Sequence, residues 1–496
     1  MGTILIRRVA RVSTIRDNPR PGLAAVRSLF LSACLAPFVV GQSASAQWEV
    51  DVTADLGVAY TDNLRLVTDD SLAEEETVFV VSPSFAFAHD SERLDADIRY
   101  SPEAFYYDEA DENDQVFHAV DTNITATLVR DALFLNLAGS QFQTNGAQVL
   151  NFPTSNLPVA GNRIDSTDYS IRPTWAQNLG FAEILAEVAY QETKFSEAED
   201  QANVFLQDND QRSARFSLSN RNRGEGFVWG LGYDYRRVEF EQAVPFENQS
   251  AFAEIGYWIN AGTRIFALGG RETPFDSFFE PSLEADFWEA GFQYTPNQRL
   301  DLELAAGRRS FGDTGRARFS YQLRRGLTEL SYTQNVVTQG ELFAGRRPLN
   351  RTDNLGDILD RPGRADRFLQ KLLNWQTTVQ LAKSEFSLRL FSEERERRTT
   401  DGGNPLPDES AFGGAVRWSW RFGPASTLGL AADVANREFD GADTELRRYS
   451  IEYALQLSQR LALVFLVQNT EESGEAGFAR NYEENQARMN FRVTLL

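Results

Sequence analysis

The sequence predicts an all-β protein, a transmembrane antiparallel up-and-down β-barrel of the outer membrane with about 22 strands (18 to 24) and no plug domain. Two observations carry this prediction: apolar and polar residues alternate strictly in segments of about ten residues, and short turns alternate with long loops along the chain. A large soluble β-sandwich or a β-helix is the alternative, since both also contain alternating strands.

The clearest alternating segment is the last one, Gln486 to Leu496. Its apolar side consists of Ala487, Met489, Phe491, Val493 and Leu495. Its polar side consists of Gln486, Arg488, Asn490, Arg492 and Thr494. A strand of this length with one apolar and one charged face suits a barrel that meets lipid outside and water inside.

Short connections rich in Gly, Asn, Pro and Ser alternate with long or acidic ones over the whole chain. Counting strands between them gives the predicted 22, with both termini at the end of the short turns. Residues 340–366 form the longest predicted loop, and residues 440–445 are expected in another of the long or acidic connections. One connection on the long side, near Gly312, is short.

Residues 1–46 are predicted to be a signal peptide, and residues 47–496 the barrel. Six arginines precede the apolar stretch from Leu29 to Val40, and a small-x-small cleavage site follows at 44–46. Cys34, the only cysteine, lies in a sequence that resembles a lipoprotein-processing box, and the alternative is a small residue inside the signal core. The remaining chain has 43 basic and 70 acidic residues, a net charge of −27, which argues against nucleic-acid partners.

Charged residues recur at every second position of several predicted strands, which is tolerable only on a face that meets water. The predicted lumen lining includes the following residues: Arg316, Arg318, Arg324, Arg448, Glu452, Arg488 and Arg492. These arginines either guide an anionic solute or an acidic polysaccharide, or pair with acidic residues on the same faces and hold the wall together.

The longest loop carries five arginines and the apolar pair Ile358-Leu359. It either folds into the lumen as a constriction or stays outside as a mobile loop. The arginines of this candidate constriction loop are Arg346, Arg347, Arg351, Arg361 and Arg364.

Other residue patterns give weaker indications. Acidic loops at 108–114, 197–200 and 471–475 contain carboxylates that suit divalent cations, but their spacing fits no dedicated metal site, and solvated loops near lipopolysaccharide are the alternative. His118 beside Asp121 is the one candidate catalytic pair. Because this is little support for catalysis, the sequence predicts no enzyme and no cofactor. Tryptophans near strand ends, including Trp258, form either interface girdles or plain lipid-facing surface.

A 22-stranded barrel is wide enough to hold a plug, but strand one begins two residues after the predicted cleavage site. We therefore expect a lumen that is open, filled by side chains and infolded loops, or occupied by another protein.

The chain resembles the PEP-CTERM system-associated outer-membrane β-barrel family, within the wider β-barrel porins linked to exopolysaccharide loci. The resemblance lies in Tyr60-Thr61-Asp62-Asn63, in Val81-Ser82-Pro83-Ser84 with the segment 93–100, and in the segment 368–395 that contains Trp375. It implies an outer-membrane barrel associated with surface sorting and extracellular polysaccharide. The family has no catalytic motif to carry over, and Leu496 stands where barrel proteins commonly end in an aromatic residue.

The expected function is a porin-like barrel in an exopolysaccharide or PEP-CTERM system, located in the outer membrane. Its expected partners are membrane lipid, lipopolysaccharide, the barrel-assembly machinery, and a polysaccharide or anionic solute. The alternative is a scaffolding barrel with a blocked lumen that binds partners through its external loops.

Overall fold

The computed structural model describes residues 48–110, 113–145, 155–159, 163–196, 208–220, 224–241, 245–274, 283–338, 367–397, 400–401, 404–405, 408–439, 442–474 and 481–495. The predicted signal peptide with Cys34, and the candidate constriction loop, lie outside these residues. Within them, no helix is long and apolar enough to cross a membrane.

The described residues form 26 strand segments and one short 3-10 turn, Asp70–Leu72. The first nine are β1 Glu49–Thr61, β2 Glu76–Asp90, β3 Leu94–Tyr100, β4 Glu103–Tyr107, β5 Gln115–Phe117, β6 Val120–Val129, β7 Leu133–Asn145, β8 Arg163–Asn178 and β9 Ala182–Phe195. The next eight are β10 Asn209–Asn220, β11 Gly226–Phe240, β12 Phe246–Asn260, β13 Thr263–Glu272, β14 Ala285–Asn297, β15 Leu300–Arg309, β16 Gly312–Leu323 and β17 Gly326–Thr338. The last nine are β18 Arg367–Gln380, β19 Ser384–Arg397, β20 Thr400–Asp401, β21 Asn404–Pro405, β22 Glu409–Arg421, β23 Ser426–Phe439, β24 Ala442–Ser458, β25 Leu461–Gly474 and β26 Tyr482–Thr494.

Twenty-four of these segments make one antiparallel sheet, and β26 pairs with β1 to close it into a barrel. β3 and β4 are halves of one wall strand, as are β5 and β6, so the barrel has 22 strands, as predicted. Pro102, which has no N–H to donate, lies at the break between β3 and β4. The register on both sides of the break is the same, so the wall continues through it.

Short turns join the strands at one end of the barrel and longer connections join them at the other. We call these the short-turn end, where β1 begins and β26 ends, and the long-loop end. The predicted extent of the connection at residues 440–445 is wrong, because β23 ends at Phe439 and β24 already begins at Ala442. Longer strands take up the residues that the sequence analysis assigned to a loop.

The two faces of the wall differ as the alternation predicts. Large apolar side chains such as Leu56, Ile255 and Val467 are exposed on the outward face. Charged and small residues alternate with them on the inward face; Asp55, for example, lies opposite Arg492 across the β1–β26 pair. The outward face is therefore an apolar band and the inward face a polar lining.

Among the described strands, β16 and β17 form a weakly paired seam. Their pairing runs only from Ala317↔Tyr332 to Leu323↔Gly326, whereas β17 stays paired with β18 as far as Thr338↔Arg367. The outer part of the β17–β18 hairpin is thus held by its own two strands and separates from β16. The side chain of Gln334 partly bridges the seam, because its Oε1 accepts a hydrogen bond from the Gly315 N–H at 3.3 Å.

The two faces predict opposite responses to a new charge. Val467→Arg places a guanidinium in the middle of the outward band and should destabilise the barrel in phospholipid bilayers by about 2–4 kcal/mol. Gln468→Arg, on the inward face of the same strand, should cost less than about 1 kcal/mol. Denaturant unfolding of both variants in lipid vesicles measures the difference, and equal destabilisation would contradict the assignment of the faces.

Candidate functional site: the barrel lumen

Inward side chains change from buried to exposed along the barrel. On β24, Leu446 and Arg448 near the long-loop end are 0% and 7% exposed, whereas Glu452, nearer the short-turn end, is exposed. β1 shows the same change: Ala59, near the long-loop end, is buried, and Asp51, near the short-turn end, is exposed. Along these walls the lumen is an aqueous vestibule that opens at the short-turn end and narrows towards the long-loop end.

Two connecting segments fold against the inner wall at the long-loop end. Leu64, just after β1, and Leu157, in the segment 155–159, pack on inward side chains of β1, β2 and β4. The buried wall residues of this cluster are Ala59, Val78, Val80, Phe105 and Tyr107. The Tyr107 hydroxyl donates to the Leu157 carbonyl at 2.9 Å, and the Val159 N–H donates to the Leu64 carbonyl at 2.8 Å. The apolar contacts and these hydrogen bonds fix both segments inside the opening of the barrel at the long-loop end, which we call the mouth.

A buried carboxylate holds the next connection in place. Glu76, at the start of β2, accepts hydrogen bonds from the N–H groups of Asp108, Glu109 and Ala110 at 3.1 to 3.2 Å. A carboxylate that accepts several backbone N–H bonds orders the segment that donates them. The sequence alone does not indicate this role, because Glu76 lies in an acidic run that is typical of a solvated loop.

The β17–β18 hairpin reaches over the mouth from the opposite part of the wall. The Val336 carbonyl of β17 accepts a hydrogen bond at 3.0 Å from the guanidinium of Arg236, an inward residue of β11. β12 to β16 lie between these strands in the barrel order. Val336 and Leu369 pack against Phe311 at the tip of the short β15–β16 hairpin. The outer part of β17–β18, which we call the strap, therefore leans on the short hairpin and narrows the mouth.

Six of the seven predicted lumen residues lie at inward positions of their strands, and four of these are arginines that form ion pairs there. The seventh, Arg324, lies in the turn between β16 and β17. Arg316 pairs with Glu303 at 3.0 Å and Arg448 with Asp433 at 3.1 Å. Arg488 pairs with Glu103 at 3.2 Å, and Arg492 with Asp55 at 2.9 Å. Glu452 is exposed to the vestibule. Four arginines thus have acidic partners on the inner wall, which is the structural one of the two alternatives.

Arg318 and Arg324 differ from the other arginines of this set. Arg318 is exposed at an inward position of β16, and Arg324 is exposed in the turn that follows this strand. No ion pair joins either of them to another described residue. Among the predicted lumen residues described, Arg318 presents a positive charge without an ion-pair partner to the vestibule, and Arg324 presents one at the short-turn end.

The candidate catalytic pair is not brought together. The imidazole of His118 stacks on Tyr100, whose hydroxyl lies 2.9 Å from Nδ1, and Tyr100 is at an outward position of β3. Asp121 pairs in register with Arg99 and is at an inward position. The two side chains therefore lie on opposite faces of the wall.

Trp258 contradicts both interpretations that the sequence analysis gave for it. Its neighbours Tyr257 and Ile259 are exposed on the outward face, so Trp258 faces the lumen, where its ring lies 6.0 Å from the Arg264 guanidinium carbon. The alternation of Ile255, Tyr257 and Ile259 contains this signal. Tryptophan is typical of membrane interfaces, so the residue type favoured an outward position although the alternation indicates an inward one.

The acidic loops show no metal site in the part of the chain described. No group of three or more His, Cys, Asp or Glu residues there is arranged to hold a metal ion. Two carboxylates between strands are nevertheless perturbed. The hydroxyl and N–H of Ser71 donate to Asp69 and lower its pKa, and burial raises the pKa of Asp208, whose carboxylate accepts the Phe195 N–H.

These features define the class: a closed, 22-stranded antiparallel β-barrel with an apolar outer band and a charged lumen. No family model matches the chain, and no curated protein matches it. Solved structures with a similar fold include three bacterial proteins. The siderophore receptor PirA from Acinetobacter baumannii has a TM-score of 0.49 at 8% identity, over 90% of this chain and 80% of that one.

A variant of the ferric enterobactin receptor PfeA from Pseudomonas aeruginosa gives a TM-score of 0.47 at 11% identity, over 90% of this chain and 81% of that one. OccK2 from the same organism, in complex with glucuronate, gives a TM-score of 0.36 at 9% identity, over 91% of this chain and 99% of that one. These similarities concern the barrel fold.

The ion pairs predict unequal costs for removing an arginine. Arg488→Met leaves the nearly buried Glu103 carboxylate without its guanidinium and should lower the free energy of unfolding by about 3 kcal/mol. Arg492→Met removes a pair in which the arginine is half exposed and should cost less than about 1 kcal/mol. Denaturant titration of both variants in the same detergent decides this, and a larger loss for Arg492→Met would refute it.

The strap predicts a crosslink across the mouth. In a Cys34→Ser background the chain has no other cysteine, so Arg236→Cys with Val336→Cys gives one pair. A bismaleimide should join it efficiently in the folded barrel. Arg237→Cys with Val336→Cys is the matched control, because Arg237 lies on the outward face beside Glu247. Equal yields for the two pairs, measured by gel mobility after proteolysis, would exclude the strap position.

Proposed function

We propose that this protein is a porin-like outer-membrane barrel that passes a hydrophilic solute through its lumen. The observation that carries the proposal is the vestibule, in which inward charged side chains such as Glu452 and Arg318 are exposed to water. A charged, water-accessible inner wall serves no purpose in a barrel packed as a solid core, but it suits a passage for polar solutes.

The outer membrane is the proposed location because of the outward face. Exposed apolar side chains on many strands form a surface far larger than soluble monomers present to water. Lipid and lipopolysaccharide are the proposed contacts of this surface, and the barrel-assembly machinery is the proposed route of insertion. With this orientation the short-turn end faces the periplasm, so the vestibule opens towards the periplasm.

Export or surface display in an exopolysaccharide or PEP-CTERM system is the finer proposal. It is supported by the resemblance of the three sequence segments described above, and by a vestibule that would receive a solute from the periplasmic side. The barrel would act by passage rather than by catalysis, since the His118 and Asp121 side chains lie on opposite faces.

A second function, scaffolding with a blocked lumen, is favoured by a separate observation. Leu64, Leu157 and the strap all occupy the mouth at the long-loop end. If these segments never move, the external loops would bind partners while nothing crosses the barrel.

Planar-bilayer recording of the full-length protein, purified from outer-membrane fractions, tests the proposal. We expect an ohmic conductance that rises in Arg236→Ala, which removes the hydrogen bond between wall and strap. Arg318→Glu should shift selectivity towards cations, whereas Arg308→Glu, at an outward position of β15, should not. Silence in the wild type and in Arg236→Ala would overturn the porin proposal in favour of the scaffold.

A further inference from the structure

Aromatic side chains occupy inward positions on two neighbouring strands, where a water-filled lumen calls for polar residues. Phe252 and Trp258 lie on β12, and Phe266 lies on β13. Register places all three on the lumen side, because their outward neighbours Ile255, Tyr257 and Ile265 are exposed on the other face. Phe252 and Trp258 are partly exposed to the vestibule.

Glycines on the neighbouring strands make room for two of these rings. Phe252 lies between Gly232 on β11 and Gly270 on β13, and Phe266 lies between Gly256 on β12 and Gly291 on β14. A Cβ at Gly232 would overlap the Phe252 ring, and one at Gly291 would overlap the Phe266 ring. Each of these two rings therefore packs over the backbone of a glycine on a neighbouring strand, in space that a larger residue's side chain would occupy.

Polar groups alternate with the rings. Glu254, between Phe252 and Trp258 on β12, forms an ion pair with Arg264 of β13. The Arg264 guanidinium carbon lies 5.3 Å from the Phe266 ring centre and 6.0 Å from that of Trp258. Gln293 of β14 pairs in register with Arg264 and brings an amide to the same place. From Phe252 to Trp258 the surface extends for roughly 20 Å along the strand.

We propose that the surface formed by Phe252, Trp258, Glu254 and Arg264, with the buried Phe266 beneath it, is a binding track for a neutral saccharide. A sugar ring has an apolar C–H face that packs on an aromatic ring and hydroxyls at its edge that bond to carboxylate, guanidinium and amide groups. The length of the track accommodates several sugar units. The proposal deepens the proposed function, because it rests on a water-filled lumen and names the class of solute.

The charge of the track favours a neutral saccharide over an acidic one. Arg264 is already compensated by Glu254, and further up the same wall Arg309 is paired with Glu272. The track thus offers no free positive charge for a carboxylate or phosphate of the solute.

A purely structural role would explain the rings differently, since an aromatic side chain can shield the backbone of a cross-strand glycine. The two roles predict different results for Trp258, whose cross-strand neighbours are Gly226 and the charged Arg264. Removing its indole should affect saccharide binding under the binding role, but only stability under the structural one.

Isothermal titration of the detergent-solubilised full chain with maltohexaose and cellohexaose tests the proposal. We expect at least one to bind, at least tenfold loss in Trp258→Ala and in Phe252→Leu, and no change in Tyr257→Ala. Tyr257 is the matched control because it is the adjacent aromatic residue on the outward face. Thermal unfolding of each variant confirms that the compared barrels are folded.

Binding of neither neutral oligomer, or equal affinities of Trp258→Ala and Tyr257→Ala, would overturn the proposal. Tighter binding of oligogalacturonate than of both neutral oligomers would overturn the assignment to a neutral saccharide. Titration measures binding independently of conduction. If the barrel conducts ions but binds no sugar, the binding track is overturned and the porin function stands. If it binds sugar but does not conduct, the porin function is overturned and the binding track stands.

Discussion

Pairing of backbone N–H and C=O groups between strands is the constraint on which the whole structure depends. In a hydrocarbon environment no water satisfies these groups, so a sheet that crosses it has to close on itself. The β1–β26 pair performs this closure. Once closure is fixed, each strand has one face towards the outside and one towards the lumen, and every property of the lumen follows from which residues fall on the inward positions.

The same constraint explains why the wall was predictable from the sequence. Period-2 alternation, as in the segment from Gln486 to Leu496, is set residue by residue, and the turns that separate the strands use residues with specific backbone preferences. The strand count and the inward positions of Arg316, Arg448 and Arg488 therefore follow from the order of residues alone. Strand ends were less predictable, as the connection at 440–445 shows, because extended strands continue for as long as a partner is present.

The interior could be predicted only in part, because it depends on contacts between residues far apart in the chain. Nothing near Arg236 in the sequence indicates the Val336 carbonyl, which is 100 residues away. The packing of Leu64 with Leu157 likewise depends on two separate loops that fold into the same space. Trp258 is a different case. The alternation around it predicts an inward position, but the usual preference of tryptophan for membrane interfaces favours an outward one.

The short pairing between β16 and β17 has a mechanical consequence. Along strand pairs such as β23–β24 and β24–β25, moving one strand relative to the next would break a much longer ladder of hydrogen bonds. At this seam the outer part of a single hairpin can tilt as a unit while its own internal ladder stays intact. The opening at the long-loop end can therefore change in width at this seam, while the wall nearer the short-turn end, and the aromatic track on it, keep their shape.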